Sequence, residues 1–200
     1  MTGNDGQEHA DARLPQPNVA YVSFSAEINV NTAESLIATM ANLAGQHVDE
    51  VVLLISSPGG SVMNGMNLYN VLVGMPFKLI THNVGNVDSI ANAIFLAGEV
   101  RYASPHSTFM FHGVATDVSK ANALDEKTLR ERTHSLVADQ KRIAAVIQER
   151  TNLEANVVEG FFREGQTKDT AFAIGAGIIH EIKDVQIPAR TPIVSLVFQR

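Results

Sequence analysis

The chain is 200 residues long, carries a formal net charge of -6 and contains no cysteine. This length suits one domain with a sizeable core, and the absence of cysteine excludes disulfides, thiolate metal sites and cysteine nucleophiles. The acidic balance argues against nucleic acid or an anionic membrane as a partner, and no apolar run is long enough to span a bilayer. Residues 1–18 are polar, without the cationic and apolar parts of a secretion signal, so we expect a disordered tail on a cytoplasmic protein.

Residues 19–200 alternate between strand-like and helix-like segments, which predicts a single α/β domain with a largely parallel sheet. The continuous β-branched run VVLLIS is typical of a strand that is covered on both faces. The strands predicted in chain order are VAYVSF, VVLLIS, FKLITH, STFMFH, EIKDV and TPIVSLVF. The helices predicted between them are NTAESLIATMANLAG with Asn31 or Thr32 near its cap, VMNGMNLYNVLVG, a short helix opening near Ser89, and TAFAIGAGIIH with Asp169 as its cap.

The longest helix is predicted within residues 123–150, because apolar residues recur there at helical spacing. This stripe comprises Leu129, Leu136, Ile143 and Ile147, and the cluster VVEGFF follows it in a second, short helix. One interpretation is that the stripe packs only on its own domain. Because a small domain usually covers less apolar surface than this, we predict instead that the element joins one copy of the chain to another.

Ser89 lies in the stretch HNVGNVDSIANAIFLAG, where a strand and a turn lead into a helix. Serine and aspartate are common helix caps, so one interpretation is that Ser89 or Asp88 caps this helix. The other is that Ser89 is a nucleophile, because it lies at the carboxyl edge of the sheet, where α/β proteins bind ligands. The helix dipole there favours developing negative charge, and the N–H of Ile90 is free to donate.

Two further segments reach the same edge of the sheet. The loop SSPGGS follows a buried strand, and its glycines allow the N–H of Gly60 to approach a substrate carbonyl. His112 ends a later strand, from which a general base can reach the serine. A glycine pair is usually a turn, and a strand-end histidine usually packs or faces solvent. Together, on successive elements of one α/β unit, these features predict acyl-transfer chemistry at Ser89.

Four segments carry a resemblance to a known family: SSPGGSVMNGMNLYNVL, GNVDSIANAIFLAG, ASPHSTFMFH and QERTNLEANVVEGFF. From about Val19 to Val185 the chain resembles, in their order and spacing, the proteolytic subunit of Clp proteases. The resemblance implies a crotonase-like, ClpP-type α/β fold of repeated β-β-α spirals, with a protruding helical handle at about residues 115–163. It also implies a serine endopeptidase that acts on peptides or unfolded proteins inside a homo-oligomer of heptameric rings, single or stacked, without cofactor or metal.

The resemblance assigns a role to each residue at the carboxyl edge of the sheet. Ser89 matches the family's nucleophile and His112 its general base, while Gly60 and Ile90 match the two donors of the oxyanion hole. The implied mechanism is attack by the Ser89 hydroxyl, proton transfer to His112, formation of an acyl-enzyme and its hydrolysis.

The family's third triad member, an aspartate, has no counterpart in this sequence. Alignment from either side places Gly165 at its position. Glu164 is adjacent and is our first candidate for the role. Asp169 is nearby but better suited to capping the next helix, and Asp88 is expected to cap the helix after Ser89. The remaining interpretation is a Ser–His dyad or an inactive site, since loss of a triad aspartate typically costs on the order of ten-thousand-fold in turnover.

Other functions compete with a serine peptidase. A catalytically weak or inactive assembly subunit of the same family would explain Gly165. A crotonase-type acyl-CoA enzyme would use a glycine-backbone hole for a thioester enolate, but it leaves the long helix unexplained. A Ser–Lys site based on Lys78 or Lys120 is made unnecessary by His112. Residues 1–18 lack the apolar segment with which the family's subunits engage an ATPase unfoldase, so that partner is doubtful.

Overall fold

The computed structural model describes residues 17–115 and 125–198. Its strands are β1 (Val19–Ser25), β2 (Glu50–Ser57), β3 (Lys78–Asp88), β4 (Val100–Ala103), β5 (Thr108–Phe111), β6 (Gln166–Lys168), β7 (Glu181–Ile182) and β8 (Ile193–Leu196). Its helices are α1 (Val30–Gly45), α2 (Val62–Val73), α3 (Ala91–Leu96), α4 (Glu126–Arg150), α5 (Ala155–Glu164) and α6 (Thr170–Gly175). Residues 1–16 of the predicted tail, the start of the predicted long helix and Lys120 lie outside the described residues.

The described strands form one eight-stranded sheet in the order β6-β5-β3-β2-β1-β8, with β4 and β7 joined beside β3. Within it every pairing is parallel except that of β5 with β6. The predicted α/β domain with a largely parallel sheet is therefore confirmed. The run VVLLIS lies in β2 and is covered on both faces as predicted, because Val51, Leu53 and Ile55 belong to the main core and Val52 and Leu54 to a smaller apolar cluster.

Three neighbouring parallel strands, β2, β3 and β5, bring the candidate site together. Their carboxyl ends share one edge of the sheet, where β2 leads to the glycine loop, β3 to Ser89 and β5 to His112. The strand β3 is longer than the predicted FKLITH. Its second half pairs with β5, with Val87 opposite Phe109 and Asp88 opposite Met110. This pairing sets the distance between the serine and the histidine segments.

The first helix begins one residue earlier than the predicted NTAESLIATMANLAG. The N-cap of α1 is Asn29, and Asn31 and Thr32, which were predicted near the cap, lie in the first turn. The Asn29 side-chain oxygen accepts from the N–H groups of Asn31 and Thr32 at 3.0 and 3.1 Å, and Thr32 Oγ1 accepts from the Asn29 N–H. This is a capping box that uses threonine in place of the usual glutamate, so the typical sequence signal is missing.

Elements of the second half of the chain are shorter than predicted. The helix α6 ends at Gly175 because Gly177 adopts a φ of 70°, a left-handed conformation that terminates helices. The strand β7 has two residues rather than the five of EIKDV. The strands β4 and β6 were not predicted, since segments of four and three residues carry too little alternation to be recognised.

The long helix α4 is only partly covered by its own domain. Ile143, Val146 and Ile147, in its C-terminal half, are buried in the core, whereas Leu129 and Val137 are each 48% exposed. The apolar stripe therefore continues beyond the surface that the described part of the domain covers. None of the helices described is both long enough and apolar enough to cross a membrane.

Candidate active site

Ser89 joins β3 to α3 with a strained backbone. Its φ of 57° lies in the left-handed region, which costs a non-glycine residue roughly 1–3 kcal/mol. The Ser89 N–H donates to the carbonyl of Met110 in β5 at 2.8 Å, and the Ser89 carbonyl accepts from the N–H of Asn92 at 3.1 Å. Hydrogen bonds on both sides of the residue therefore hold the turn in place.

Neither Ser89 nor Asp88 caps α3, so the capping predictions are wrong. The N-cap position of this helix is Ile90, and no side chain caps it. A capping residue has an extended backbone, which Ser89 does not adopt. Asp88 is the last residue of β3, and its carboxylate accepts from Asn86 Nδ2 at 2.5 Å instead. The left-handed backbone of Ser89 is incompatible with an N-cap. It places the serine side chain at a sharp turn between a strand and a helix.

Glycines allow the loop after β2 to approach Ser89 closely. A Cβ on Gly59 would lie 2.7 Å from Ser89 Cβ, and one on Gly60 would lie 2.3 Å from a backbone oxygen of the loop after β1. Both glycines have a positive φ, of 87° and 140°. In α2, a Cβ on Gly65 would lie 2.3 Å from Ile90 Cγ1. The glycine loop, α2 and the Ser89 turn are therefore packed as one unit.

Ser89, His112 and Gly60 line one cavity of about 120 Å³. The rest of its wall is apolar and consists of Val62, Phe111, Val114, Ala115, Ile143, Ile147 and Phe162. Ile90, the remaining predicted donor, follows Ser89 directly, and its side chain is fully buried. Within residues 17–115 and 125–198, the N–H groups of Gly60 and Ile90 have no acceptor and are free to donate.

His112 follows β5 directly and is exposed. Among the described residues its ring has no hydrogen bond, either to Ser89 Oγ or to a carboxylate. The backbone beside it is closely packed, since a Cβ on Gly113 would lie 2.7 Å from the carbonyl oxygen of Phe162 in α5. The position of the histidine is therefore fixed by packing, whereas the orientation of its imidazole is not.

Position 165 lies beside His112. Gly165 follows α5 with a φ of 67°, and a Cβ placed on it would lie 3.8 Å from His112 Cβ, an ordinary contact distance. The position that the alignment assigns to the family's aspartate is thus adjacent to the histidine. Glycine has no side chain with which to orient the ring.

The three carboxylates considered as substitutes have other partners. Glu164 is exposed and accepts from Gln166 Nε2 at 2.5 Å. Asp169 caps α6 by accepting from the N–H of Phe172 at 2.8 Å, which confirms its predicted cap. Asp88 is held by Asn86 as described above. In this conformation no carboxylate of the described chain accepts from His112, and Glu164 as third member stays a prediction.

The structure contradicts Lys78 as an alternative base. Lys78 begins β3, at the opposite end of the strand from Ser89, and its Nζ lies 2.9 Å from Glu50 Oε1. The hydrogen bond to Glu50 raises the pKa of Lys78, which is the opposite of what a lysine base requires. In the two described ranges, no group of three or more His, Asp or Glu side chains is placed to hold a metal ion.

The apolar wall of the cavity is the part of the site that the sequence reading missed. Ile143 and Ile147 were assigned to the helical stripe, which is correct, but their second role in lining the cavity depends on how α4 crosses the sheet edge. Phe111 and Phe162 come from two other elements, and nothing in their local sequence marks them as neighbours of Ser89. Only tertiary packing brings these side chains together.

Comparison with protein families gives one match that covers most of the chain. The family model described as Clp protease matches residues 11–186. The ATP-dependent Clp protease proteolytic subunit 1 of Mycobacterium leprae is 33% identical over 94 residues, which are 46% of this chain and 47% of that protein. Subunit 2 of Mycolicibacterium paratuberculosis is 29% identical over 127 residues, 62% of this chain and 63% of that protein. The chain thus spans between about half and just under two thirds of these relatives.

Solved structures of proteins named ClpP superpose on most of this chain. A ClpP1 mutant from Listeria monocytogenes superposes with a TM-score of 0.75 at 21% identity, covering 83% of this chain and 92% of that one. The ClpP protease catalytic domain from Plasmodium falciparum superposes with a TM-score of 0.70 at 22% identity, covering 85% and 88%. At these identities the likeness concerns the fold.

Proposed function

This chain belongs to the Clp protease family and has the ClpP-type fold predicted for it, and from that premise we propose that it is a serine endopeptidase subunit. One observation carries the proposal. A serine in a left-handed strand-to-helix turn shares a cavity with a histidine and with a glycine whose N–H is free to donate. A serine that only capped a helix would need neither a left-handed backbone nor His112 and Gly60 in the same cavity.

In the proposed mechanism Ser89 Oγ attacks the carbonyl carbon of a peptide bond while His112 accepts the hydroxyl proton. The N–H groups of Gly60 and Ile90 donate to the oxyanion of the tetrahedral intermediate. His112 then gives its proton to the leaving amine, which leaves an acyl-enzyme on Ser89. Water, deprotonated by His112, hydrolyses the ester and returns the enzyme to its starting state.

The cavity wall supports a preference for an apolar side chain next to the bond that is cut. The wall is formed by Phe111, Ile143, Ile147 and Phe162 among others, and the residues described there include no Asp, Glu, Lys or Arg. A charged residue placed there would lose its hydration without gaining a partner. We therefore expect peptides with leucine or methionine at this position to be cleaved faster than those with aspartate or lysine.

For the third triad member, we propose Glu164 in a second conformer. Its carboxylate is exposed and is held by a single hydrogen bond to Gln166, and the residue is adjacent to Gly165. Turning the carboxylate towards His112 breaks only that surface contact, which contributes little to stability. In the conformer described above, Ser89 and His112 line the cavity without a carboxylate on the imidazole, which supports low activity as the second candidate function.

We propose that the subunits form heptameric rings that stack on one another through the handle, in the cytoplasm, and act there on peptides or unfolded proteins. The exposed Leu129 and Val137 support this, together with an apolar groove of about 540 Å³ between α4 and α5. Sedimentation velocity tests the assembly: a Val137→Glu variant is expected to separate stacked rings. A wild-type monomer at micromolar concentration would contradict it.

An ATPase unfoldase is the partner proposed with least support. The relatives are named ATP-dependent subunits, whereas residues 1–18 of this chain are polar. Degradation of short peptides without ATP, compared with degradation of a folded substrate in its presence, separates an independent peptidase from one that needs the unfoldase.

A fluorophosphonate probe tests the peptidase proposal directly. We expect an adduct on Ser89, located by mass spectrometry, that is lost in Ser89→Ala and strongly slowed in His112→Ala. Wild-type protein that is assembled but unlabelled would favour the inactive assembly subunit. Labelling that survives Ser89→Ala would place the nucleophile elsewhere.

A further inference from the structure

Asn92 in α3 connects the two segments that carry the proposed nucleophile and base. Its side chain is 1% exposed. Its Nδ2 donates to the carbonyl of Ser89 at 3.1 Å and to the carbonyl of Met110 at 2.8 Å. Met110 lies in β5, two residues before His112. A single amide group therefore bridges the Ser89 turn and the strand that leads to the histidine.

Neither carbonyl needs the Asn92 side chain in order to be paired. The Met110 carbonyl already accepts from the Ser89 N–H at 2.8 Å, and the Ser89 carbonyl already accepts from the backbone N–H of Asn92 at 3.1 Å. The two bonds from Nδ2 are additional. They also fix the orientation of the amide, because two acceptors face the nitrogen.

Burying this side chain has a cost. Asn92 Oδ1 is buried and has no hydrogen-bond partner among the described residues. An unpaired buried polar atom destabilises the fold, because it loses its hydration without gaining a hydrogen bond. The other residues of α3 are apolar and buried, so packing alone would favour an apolar residue at position 92 as well. The asparagine therefore serves something other than the stability of the core.

We propose that Asn92 is a positioning residue, whose Nδ2 fixes the Ser89 turn relative to the strand that carries His112. The inference rests on the proposed peptidase function. A strained residue such as Ser89 persists only where its surroundings over-determine its conformation. Asn92 adds two constraints to those of the backbone, and both act on the spacing between the reacting groups. A displacement of about 1 Å between such groups can cost roughly a hundredfold in rate.

The chain offers a matched control in Asn83, a fully buried asparagine of β3. Its Nδ2 donates to the carbonyl of Thr108 in β5 at 2.8 Å, and its Oδ1 accepts from the N–H of Gly85 at 3.0 Å. Asn83 thus bridges the same two strands with both polar atoms paired. It makes no hydrogen bond to Ser89 or Met110 within the described residues.

The test compares Asn92→Leu, and Asn92→Ala as a second variant, with Asn83→Leu. We expect Asn92→Leu to lower kcat and the rate of fluorophosphonate labelling at Ser89 by about tenfold or more, with KM changed by less than about twofold. Its thermal midpoint is expected to fall less than that of Asn83→Leu, because removing Asn92 also removes an unpaired oxygen. Asn83→Leu is expected to lose stability while keeping its labelling rate.

Several results would overturn the positioning role. A folded Asn92 variant with wild-type kcat and labelling rate would do so, as would failure of both Asn92 variants to fold while Asn83→Leu folds. If the chain is not a peptidase at all, the outcome differs from these, because the wild type itself then shows neither turnover nor labelling. In that case the Ser89 amide, bonded to Met110, must exchange its hydrogen faster in Asn92→Leu than in Asn83→Leu, and unchanged exchange overturns the inference.

Discussion

The two sides of the cavity are built in different ways. On the Ser89 side, glycines at positions 59, 60 and 65 allow contacts that no Cβ could enter, and the backbone of Ser89 is bonded on both sides. On the His112 side, the imidazole is exposed and has no hydrogen bond among the described residues, and its neighbour at position 165 is glycine. The proposed nucleophile is held rigidly, and the proposed base is held only by its backbone.

From this difference we expect the His112 side of the cavity to limit the rate. Electrostatic stabilisation of an oxyanion depends on donors that are already in place, and on the Ser89 side the N–H groups of Gly60 and Ile90 are the proposed donors. Proton transfer depends on the orientation of the imidazole, which a triad carboxylate normally provides. We therefore expect changes on the Ser89 side to abolish the chemistry and changes on the His112 side to tune its rate in either direction.

The largest effect is expected from Gly59→Ala. A Cβ there would lie 2.7 Å from both Ser89 Cβ and the Asp88 carbonyl oxygen, at a φ of 87° that disfavours alanine. The turn must shift, so labelling of Ser89 by the fluorophosphonate is expected to fall by about a hundredfold or more. Gly45→Ala is the control, because a Cβ at the end of α1 meets nothing within 4 Å. Wild-type labelling in Gly59→Ala would show that the Ser89 side is not rigid.

The second effect, a gain, is expected from Gly165→Asp. At the φ of 67° and ψ of 106° of position 165 any side chain is strained, but the Cβ of an aspartate would lie 3.8 Å from His112 Cβ without a clash. A carboxylate fixed beside the imidazole should raise kcat by about tenfold or more, within the ten-thousand-fold that a triad aspartate can contribute.

Gly165→Asn separates charge from backbone strain in that experiment. Asparagine has the same shape as aspartate and undergoes the same backbone strain at position 165, but it carries no charge. We therefore expect the kcat of Gly165→Asn to stay near the wild-type value. Equal gains in both variants would mean that the backbone at position 165, rather than a carboxylate, limits the rate.

A smaller loss is expected from Glu164→Gln. The proposed conformer of Glu164 competes with the hydrogen bond to Gln166, so only a fraction of the molecules adopt it. Because this fraction limits what the carboxylate contributes, we expect kcat to fall by only about threefold to tenfold. Asp169→Asn is the matched control, since asparagine caps a helix about as well as aspartate does, so both the thermal midpoint and kcat should stay near their wild-type values. An unchanged kcat in Glu164→Gln would leave Ser89 and His112 as a dyad.

The sequence predicted the parts of this comparison that depend on periodicity and on local turn chemistry. The parallel sheet, the long helix, and the meeting of Ser89, His112 and Gly60 follow from the alternation of elements and from the shared edge of parallel strands. The cap expected from Asp88 was predicted wrongly, because an aspartate just before a helix has the same local signature whether it caps the helix or ends the preceding strand.

What could not be predicted depends on atoms from distant segments. Asn92 looks like an isolated polar residue in an apolar run, and only the approach of β5 supplies its acceptor on Met110. The free state of the His112 imidazole likewise follows from where Glu164 and Asp169 find other partners. Single-sequence patterns carry no information on these choices.

The smallest effect is expected on the stability of the fold in acid. It must be known before a loss of kcat at low pH can be assigned to the site. His82 is 3% exposed in β3, and its Nε2 lies 3.1 Å from the carbonyl oxygen of Lys183, to which it donates. Burial lowers the pKa of His82, and burial followed by the charge of Arg101 lowers the pKa of His180. Both therefore take up protons on unfolding, so their contribution to stability is complete above about pH 6.5 and is lost as the pH falls through the lower folded values.

Acid can thus reduce activity either at the site itself or by unfolding the chain, and His82→Gln distinguishes the two. We expect the free energy of unfolding in urea to decline less between about pH 7 and pH 5 in His82→Gln than in the wild type. His106→Gln, which removes an exposed histidine from the turn before β5, should leave that decline unchanged. If His82→Gln declines as steeply as the wild type, burial of His82 does not set the acid response. If it declines less while the acid loss of kcat persists, unfolding is not the cause of that loss, and acid acts at the site itself.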